Sequence, residues 1–298
     1  MQAWTPNLIM PGVAKCGTTT LYDLLVTHPE ITGGKEKEVR FLMDEGDDLC
    51  REANIRSKGL EGWADEYADG GKGPFKVWLD ASPQYQFQKT AFDTIAALDP
   101  QPVVVFMFRR PSARLFSLYQ YCRYHQGSVP EIESFAQFID HLRAPTSANF
   151  QRQKMLKNGW EDTRFDRCIE KWSGIVAADR LIFTSAEALN ADRDAVLAGI
   201  AKATGIDPAG FDPDAPRQSN PTVRIKSKWL AKTGGKIARR LPNSGPIRKI
   251  KDMAKAYNSG SIDKSEKAEN AELLRQLDIE FAPAIAAMQA RNLLPQAQ

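Results

Sequence analysis

LIMPGVAKCGTTTLYDLLVTHP, residues 8–29, decides the fold. The apolar run at 8–10 stops at Pro11 and Gly12, as a buried strand ends in a loop. Leu21, Leu24, Leu25 and His28 then recur at helical spacing. Thr18, Thr19 and Thr20 stand at the positions of N-capping hydroxyls, and His28 with Pro29 closes the segment. Strand, glycine-containing loop and helix follow in that order. Inside the loop, GVAKCG (12–17) repeats the GxxxxG frame of a phosphate loop. Backbone N–H groups there, together with the partial positive charge of a helix N-terminus, suit an anion.

The lysine is displaced from its place in nucleotide triphosphatases. Those loops continue after the second glycine with Lys and then Ser or Thr, which reach the β/γ-phosphates and hold Mg²⁺. Here Thr18 and Thr19 follow Gly17, and the lysine lies inside the loop at position 15. That arrangement disfavours ATP-driven chemistry and suits a compact terminal oxyanion bound without an obligatory metal. The alternative is an ordinary strand–loop–helix turn whose threonines merely cap.

Outward from this stretch, VWLD (77–80), VVVFMF (103–108) and LIFT (181–184) read as further buried strands. Helical patterns fall at 88–98, 112–125, 133–143, 162–173, 186–190 and 193–204. Strands alternating with helices predict an α/β, P-loop-like three-layer fold, a central parallel sheet flanked by helices. Residues 33–73 are acidic and irregular and read as loops bordering a site. A single domain over 1–298 is expected, with a basic subregion at 222–256 and a terminal helix at 271–292. Leu273, Leu277, Phe281 and Ile285 would pack that helix on the core, with Pro283 as a kink.

Composition bounds the function. In 298 residues, 42% hydrophobic and 26% charged, the chain has the profile of a soluble globular protein. A net charge of +3 implies no whole-protein attraction to nucleic acid, so any basic site is local. One such stripe runs from 224 to 255, where eleven Lys or Arg face a single acid, Asp252. It suits an anionic glycan, a membrane face carrying a lipid acceptor, or solvent. Cys16, Cys50, Cys122 and Cys168 form no CxxC pair and have no neighbouring His at metal-ligand spacing, which predicts a reducing, cytoplasmic compartment and no metal. The N-terminus has neither a charged start nor a signal-peptide core.

Arg109 ends the most buried strand, and Ser117 follows eight residues later on the next helix. Ligands bind at the carboxyl ends of parallel strands, so Arg109 points toward the mouth that holds the first loop and can grip a phosphate bidentately.

PGVAKCGTTTLYDLLVTHPEI (11–31) resembles the 5′-phosphosulfate loop of sulfotransferases that use 3′-phosphoadenylyl sulfate (PAPS), in the branch of heparan-type carbohydrate enzymes and many bacterial members. The resemblance implies that Lys15 contacts the oxygen bridging phosphate and sulfate, and that the loop through Cys16, Gly17, Thr18, Thr19 and Thr20 holds the 5′-phosphate. Arg109 and Ser117 match the family's 3′-phosphate signature, and two phosphate grips describe PAPS rather than ATP. None of His28, His125 and His141 stands where the cytosolic small-molecule sulfotransferases keep their catalytic histidine, and the resemblance implies Glu38 in KEKEVRFL (35–42) as the general base; the alternative is a solvated run of Glu36 and Glu38 with Lys35, Lys37 and Arg40. Ser82, Pro83 and Tyr85 retain the frame of a cleft-lining segment. Arg40 stands where some members have His, and Ala81 stands where others have a Lys near the transferred sulfonate. Similarity is good over the first 125 residues, extends through 181–189 and fades beyond, with Arg224 or Lys226 in SNPTVRIKSKWL (219–230) as further contacts to the 3′-phosphate.

The sequence therefore reads as a PAPS-dependent sulfotransferase acting on a hydroxyl, in preference to an amine, of a carbohydrate, lipid or small molecule, with no nucleic-acid partner. The rivals are a Mg²⁺-dependent P-loop kinase or NTPase and a non-catalytic binder of nucleotides or anionic polymers.

Overall fold

Five parallel strands order the molecule: β1 (Leu8–Gly12), β2 (Ile31–Gly33), β3 (Val77–Asp80), β4 (Val103–Phe108) and β5 (Leu181–Ser185), hydrogen-bonded in the order β2-β3-β1-β4-β5. They are seen in a computed structural model that describes residues 3–215 and 265–295, plus the backbone of 224–225 and 259–260. The expected α/β, P-loop-like three-layer fold is the one observed. Successive strand residues face opposite sides, and β4 shows the consequence. Val104, Phe106 and Phe108 enter one core with Phe165 and Trp172, whereas Val103, Val105 and Met107 enter a second with Leu21, Leu24, Leu25, Leu197 and Ile200. With both faces covered, β4 needs no polar positions, which is why its sequence reads as an unbroken apolar run. Each fully buried side chain of this size contributes about 1.5–3 kcal/mol.

Several boundaries differ from the sequence reading. The first helix is Thr18–Leu25, its N-cap is Gly17, and no side chain caps it, so the threonines lie in the first turn. The edge strand β2 is three residues long, too short for its alternation to register as a pattern. The helix after β4 spans Pro111–Gln120 and then loosens into a π-helical segment, Tyr121–Gln126, closed by Gly127 in the left-handed region. The terminal helix is two helices, Ala271–Glu280 and Ala282–Gln289, with Pro283 in the first turn of the second, where a missing N–H costs least. Leu277 and Phe281 are buried as expected, but Leu273 and Ile285 are only partly covered. Leu274, Ala284 and Met288 fill the contact instead, so the buried positions 274, 277, 281, 284 and 288 keep one helical spacing through the break. The first of these helices packs on Pro111–Gln120 and the second on Phe165–Ser173.

Candidate functional site

The loop between β1 and the first helix is built for an anion. Val13 donates its N–H to the carbonyl of Met107, tying the loop's entry to the end of β4. Lys15 and Gly17 both have positive φ, 71° and 94°. A Cβ on Gly17 would also stand 3.0 Å from the Met107 methyl, so this position requires glycine. Among the described residues, no backbone acceptor takes the N–H groups of Lys15, Gly17, Thr18, Thr19 or Thr20. Such a concave run of donors at a helix start is an anion nest. Cys16 does not share in it: its N–H bonds to the carbonyl of Val13, and its side chain is buried, with the thiol pushed up to about 12 by desolvation.

Burial lowers the Lys15 ammonium to about 8, Cys122 pulling it upward and Arg109 pushing it down. The nitrogen lies 3.8 Å over the Tyr121 ring. Arg109 is half-buried at the end of β4, close enough to Lys15 for their charges to interact, and Ser117 is buried two turns into the next helix. The adjacent turn is held from outside. Arg110 donates its N–H to Glu187 Oε1 at 3.0 Å, and its guanidinium reaches Asp278 at 3.3 Å, so this arginine is a structural tie. Asp278 also accepts the N–H of Ser112 at 3.2 Å.

Arg114 is fully buried and braces the loop from below. Its Nε donates to the carbonyl of Ala14 at 3.2 Å, and Nη1 donates to Gly159 O at 2.8 Å and Thr163 Oγ1 at 2.6 Å. Asp162 lies 3.7 Å from Nη2, and burial keeps this carboxyl well above the carboxylate range. Sequence reading missed these partners, since 159–163 carries no motif and its role arises only when the helices pack.

Glu38 stands among three polar side chains. Arg40 donates to Oε2 at 2.7 Å, Gln84 donates to the same oxygen at 2.8 Å, and Lys37 lies 3.7 Å from Oε1. Burial works to raise its pKa, but the bonds from Gln84 and Arg40 and the charge of Lys37 outweigh it and hold the carboxyl below its ordinary range. Arg40, itself at φ 57°, donates its N–H to Ser82 Oγ at 2.9 Å. Ser82 in turn donates to Asp80 Oδ1 at 2.6 Å, while Tyr85 and Trp63 donate to Oδ2 at 2.9 and 3.1 Å. Ser82 and Tyr85 are thus wholly buried supports rather than cleft-lining groups, and Gln84 between them is the one that reaches the site. Glu38 and Arg40 act electrostatically on Tyr121, which links them to the side where Lys15 lies.

In the acidic stretch, Asp44 accepts the N–H groups of Lys89 and Thr90 at 2.9 and 2.7 Å and caps the helix Lys89–Ala97, while Asp47 holds Gln88 and Lys154. These acids are structural. The backbone of Arg224–Ile225 pairs antiparallel with Ser259–Gly260 and runs against Tyr121–Gln126. The side chain of Arg224, Lys226 and the rest of the basic stripe lie outside the described residues. No group of three His, Cys, Asp or Glu among the described residues is placed to hold a metal, and no described helix is long and apolar enough to cross a membrane.

No family model matches the chain. It is 25% identical over 245 residues to the mouse bifunctional heparan sulfate N-deacetylase/N-sulfotransferase 4, covering 78% of this chain and 26% of the relative. It is 25% identical over 209 residues to the human form 3, covering 68% and 22%. The chain thus spans about a quarter of the length of the curated relatives it matches. Among solved structures, a sulfotransferase from Alicyclobacillus acidocaldarius superposes with a TM-score of 0.60 at 20% identity, covering 80% of this chain and 93% of that one.

Proposed function

We propose that this chain, which belongs to the sulfotransferase family, moves a sulfuryl group from PAPS to an acceptor hydroxyl, with an amine as the second choice. The observation that carries this reading is the convergence of an anion nest, a desolvated loop lysine and a half-buried arginine on the carboxyl ends of β1 and β4, with an ionised glutamate across Tyr121. The uncommitted N–H groups at 15 and 17–20 fit a 5′-phosphate, and Arg109 with Ser117 fits a 3′-phosphate.

PAPS supplies a sulfuryl group on a phosphate leaving group. Lys15, protonated at neutral pH, faces the charge that develops on that phosphate, where a preorganised cation in a dry site acts most strongly. Glu38 takes the proton from the acceptor as its oxygen attacks. Its depressed pKa keeps it ionised and ready to accept, at the expense of basicity. Arg114 keeps the loop in shape through Ala14. The carbohydrate, lipid or small-molecule acceptor is reached over the side of Glu38, and an anionic glycan suits the Lys37 and Arg40 charges there.

The test is turnover. The protein is incubated with PAPS and, separately, with a partly desulfated heparan-type glycan, its N-deacetylated form and a hydroxyl-bearing lipid. Release of adenosine 3′,5′-bisphosphate with sulfate on one acceptor supports the reading; nucleotide binding with neither bisphosphate release nor a sulfated product would make this a binding protein.

A further inference from the structure

Tyr121 touches the loop lysine from a separate element. The Lys15 nitrogen sits 3.8 Å from its ring centroid, well inside the range of a cation–π contact and in a desolvated setting that strengthens it. The ring opens the π-helical segment Tyr121–Gln126, a winding that is rare and concentrates at functional sites. Its plane is fixed by stacking on His125, with centroids 5.2 Å apart and 18° between planes. Burial, then Cys122 and Glu38, keeps the phenol neutral, so the lysine meets the face of an uncharged ring.

The lysine has little else to hold it. Arg109 and Arg114 repel its charge, no carboxylate among the described residues forms an ion pair with it, and the nearby Cys16 and Cys122 thiols are kept protonated by burial. A lysine side chain so placed would swing out to water and lose that freedom again on each binding event. We propose that Tyr121 is a positioning residue that holds the Lys15 ammonium inside the site, ready for the anion. The inference rests on the reading of Lys15 as a contact to the nucleotide's 5′-phosphate. A π-wound helix end thereby does for this lysine what an acidic partner does elsewhere, without a negative charge that would oppose the anion.

A double-mutant cycle tests it, with adenosine 3′,5′-bisphosphate as the calorimetric probe on the full chain. Tyr121→Leu is expected to weaken binding about tenfold and Tyr121→Phe by less than about twofold, because Phe keeps the π face and Leu does not. In a Lys15→Ala background, Tyr121→Leu is expected to have no further effect. Equal damage by Phe and Leu, or the same loss with and without Lys15, overturns the proposal. A second measurement needs no nucleotide: the Lys15 ammonium is titrated by NMR in protein labelled with ¹⁵N-lysine. The midpoint is expected to be shared by wild type and Tyr121→Phe and displaced in Tyr121→Leu; a midpoint unmoved in Tyr121→Leu overturns the proposal. Wild type that fails to bind the bisphosphate counts against the nucleotide reading, and the titration then decides the Tyr121 proposal by itself.

Discussion

Arg114 Nε donates to the carbonyl oxygen of Ala14 at 3.2 Å, so a residue one hundred positions along the chain sets the floor of the anion loop. The same guanidinium spans to Gly159 and Thr163, which makes one buried side chain the joint between the first loop, the helix after β4 and the 159–163 turn.

Arg114→Met is therefore expected to cost about 1–3 kcal/mol of folding stability, the scale for leaving a buried hydrogen-bonding group without its partner. Asp162 would be left without its guanidinium and the Ala14 carbonyl without its donor. Urea unfolding measures this, and a loss within about 0.5 kcal/mol, as at an ordinary surface site, would show that the loop holds its own shape.

Asp80 gives a pH signature. Burial pushes its carboxyl up to about 6, against the hydrogen bonds of Ser82, Tyr85 and Trp63. An unfolded chain titrates the same group at about 3.9, so the folded state retains a proton that the unfolded state releases. The associated stability is complete below the unfolded value and is lost as pH rises through the folded one. Thermal unfolding of Asp80→Asn across this window is expected to lack that slope; a profile parallel to wild type would mean that another group carries it.

Glu38 and Gln84 separate chemistry from binding. Glu38→Gln is expected to lower the transfer rate by about 10²–10⁴-fold, the usual worth of a general base, while bisphosphate affinity stays unchanged. Gln84→Leu removes a bond that lowers the Glu38 pKa, so the acid limb of the pH–rate profile should move to higher pH. An acid limb that stays in place would detach Glu38 from the rate.

The fold was largely legible because its deciding signals are local. An unbroken apolar run at 103–108 means a strand covered on both faces, and a GxxxxG frame between a strand and a helix means a phosphate loop. The positions of Lys15 and Arg109 at the mouth of the sheet were legible for the same reason, since each lies beside a strand end. Gln84, Tyr121 and the 159–163 turn were not, because each acquires its role from a partner 46, 106 or 45–49 positions away. Likewise, nothing in the pattern of Ser82 and Tyr85 reveals that they turn inward to Asp80, whereas hydrogen-bond geometry does.

A nucleotide gripped at both its 5′ and 3′ phosphates should bind through the loop and through Arg109 together. Calorimetric titration of adenosine 3′,5′-bisphosphate, against ATP with Mg²⁺, into wild type and Arg109→Ala tests it most directly. Tight bisphosphate binding to wild type, feeble ATP binding, and loss of the bisphosphate in Arg109→Ala are expected. A preference for ATP with Mg²⁺, or bisphosphate binding indifferent to Arg109, would contradict it.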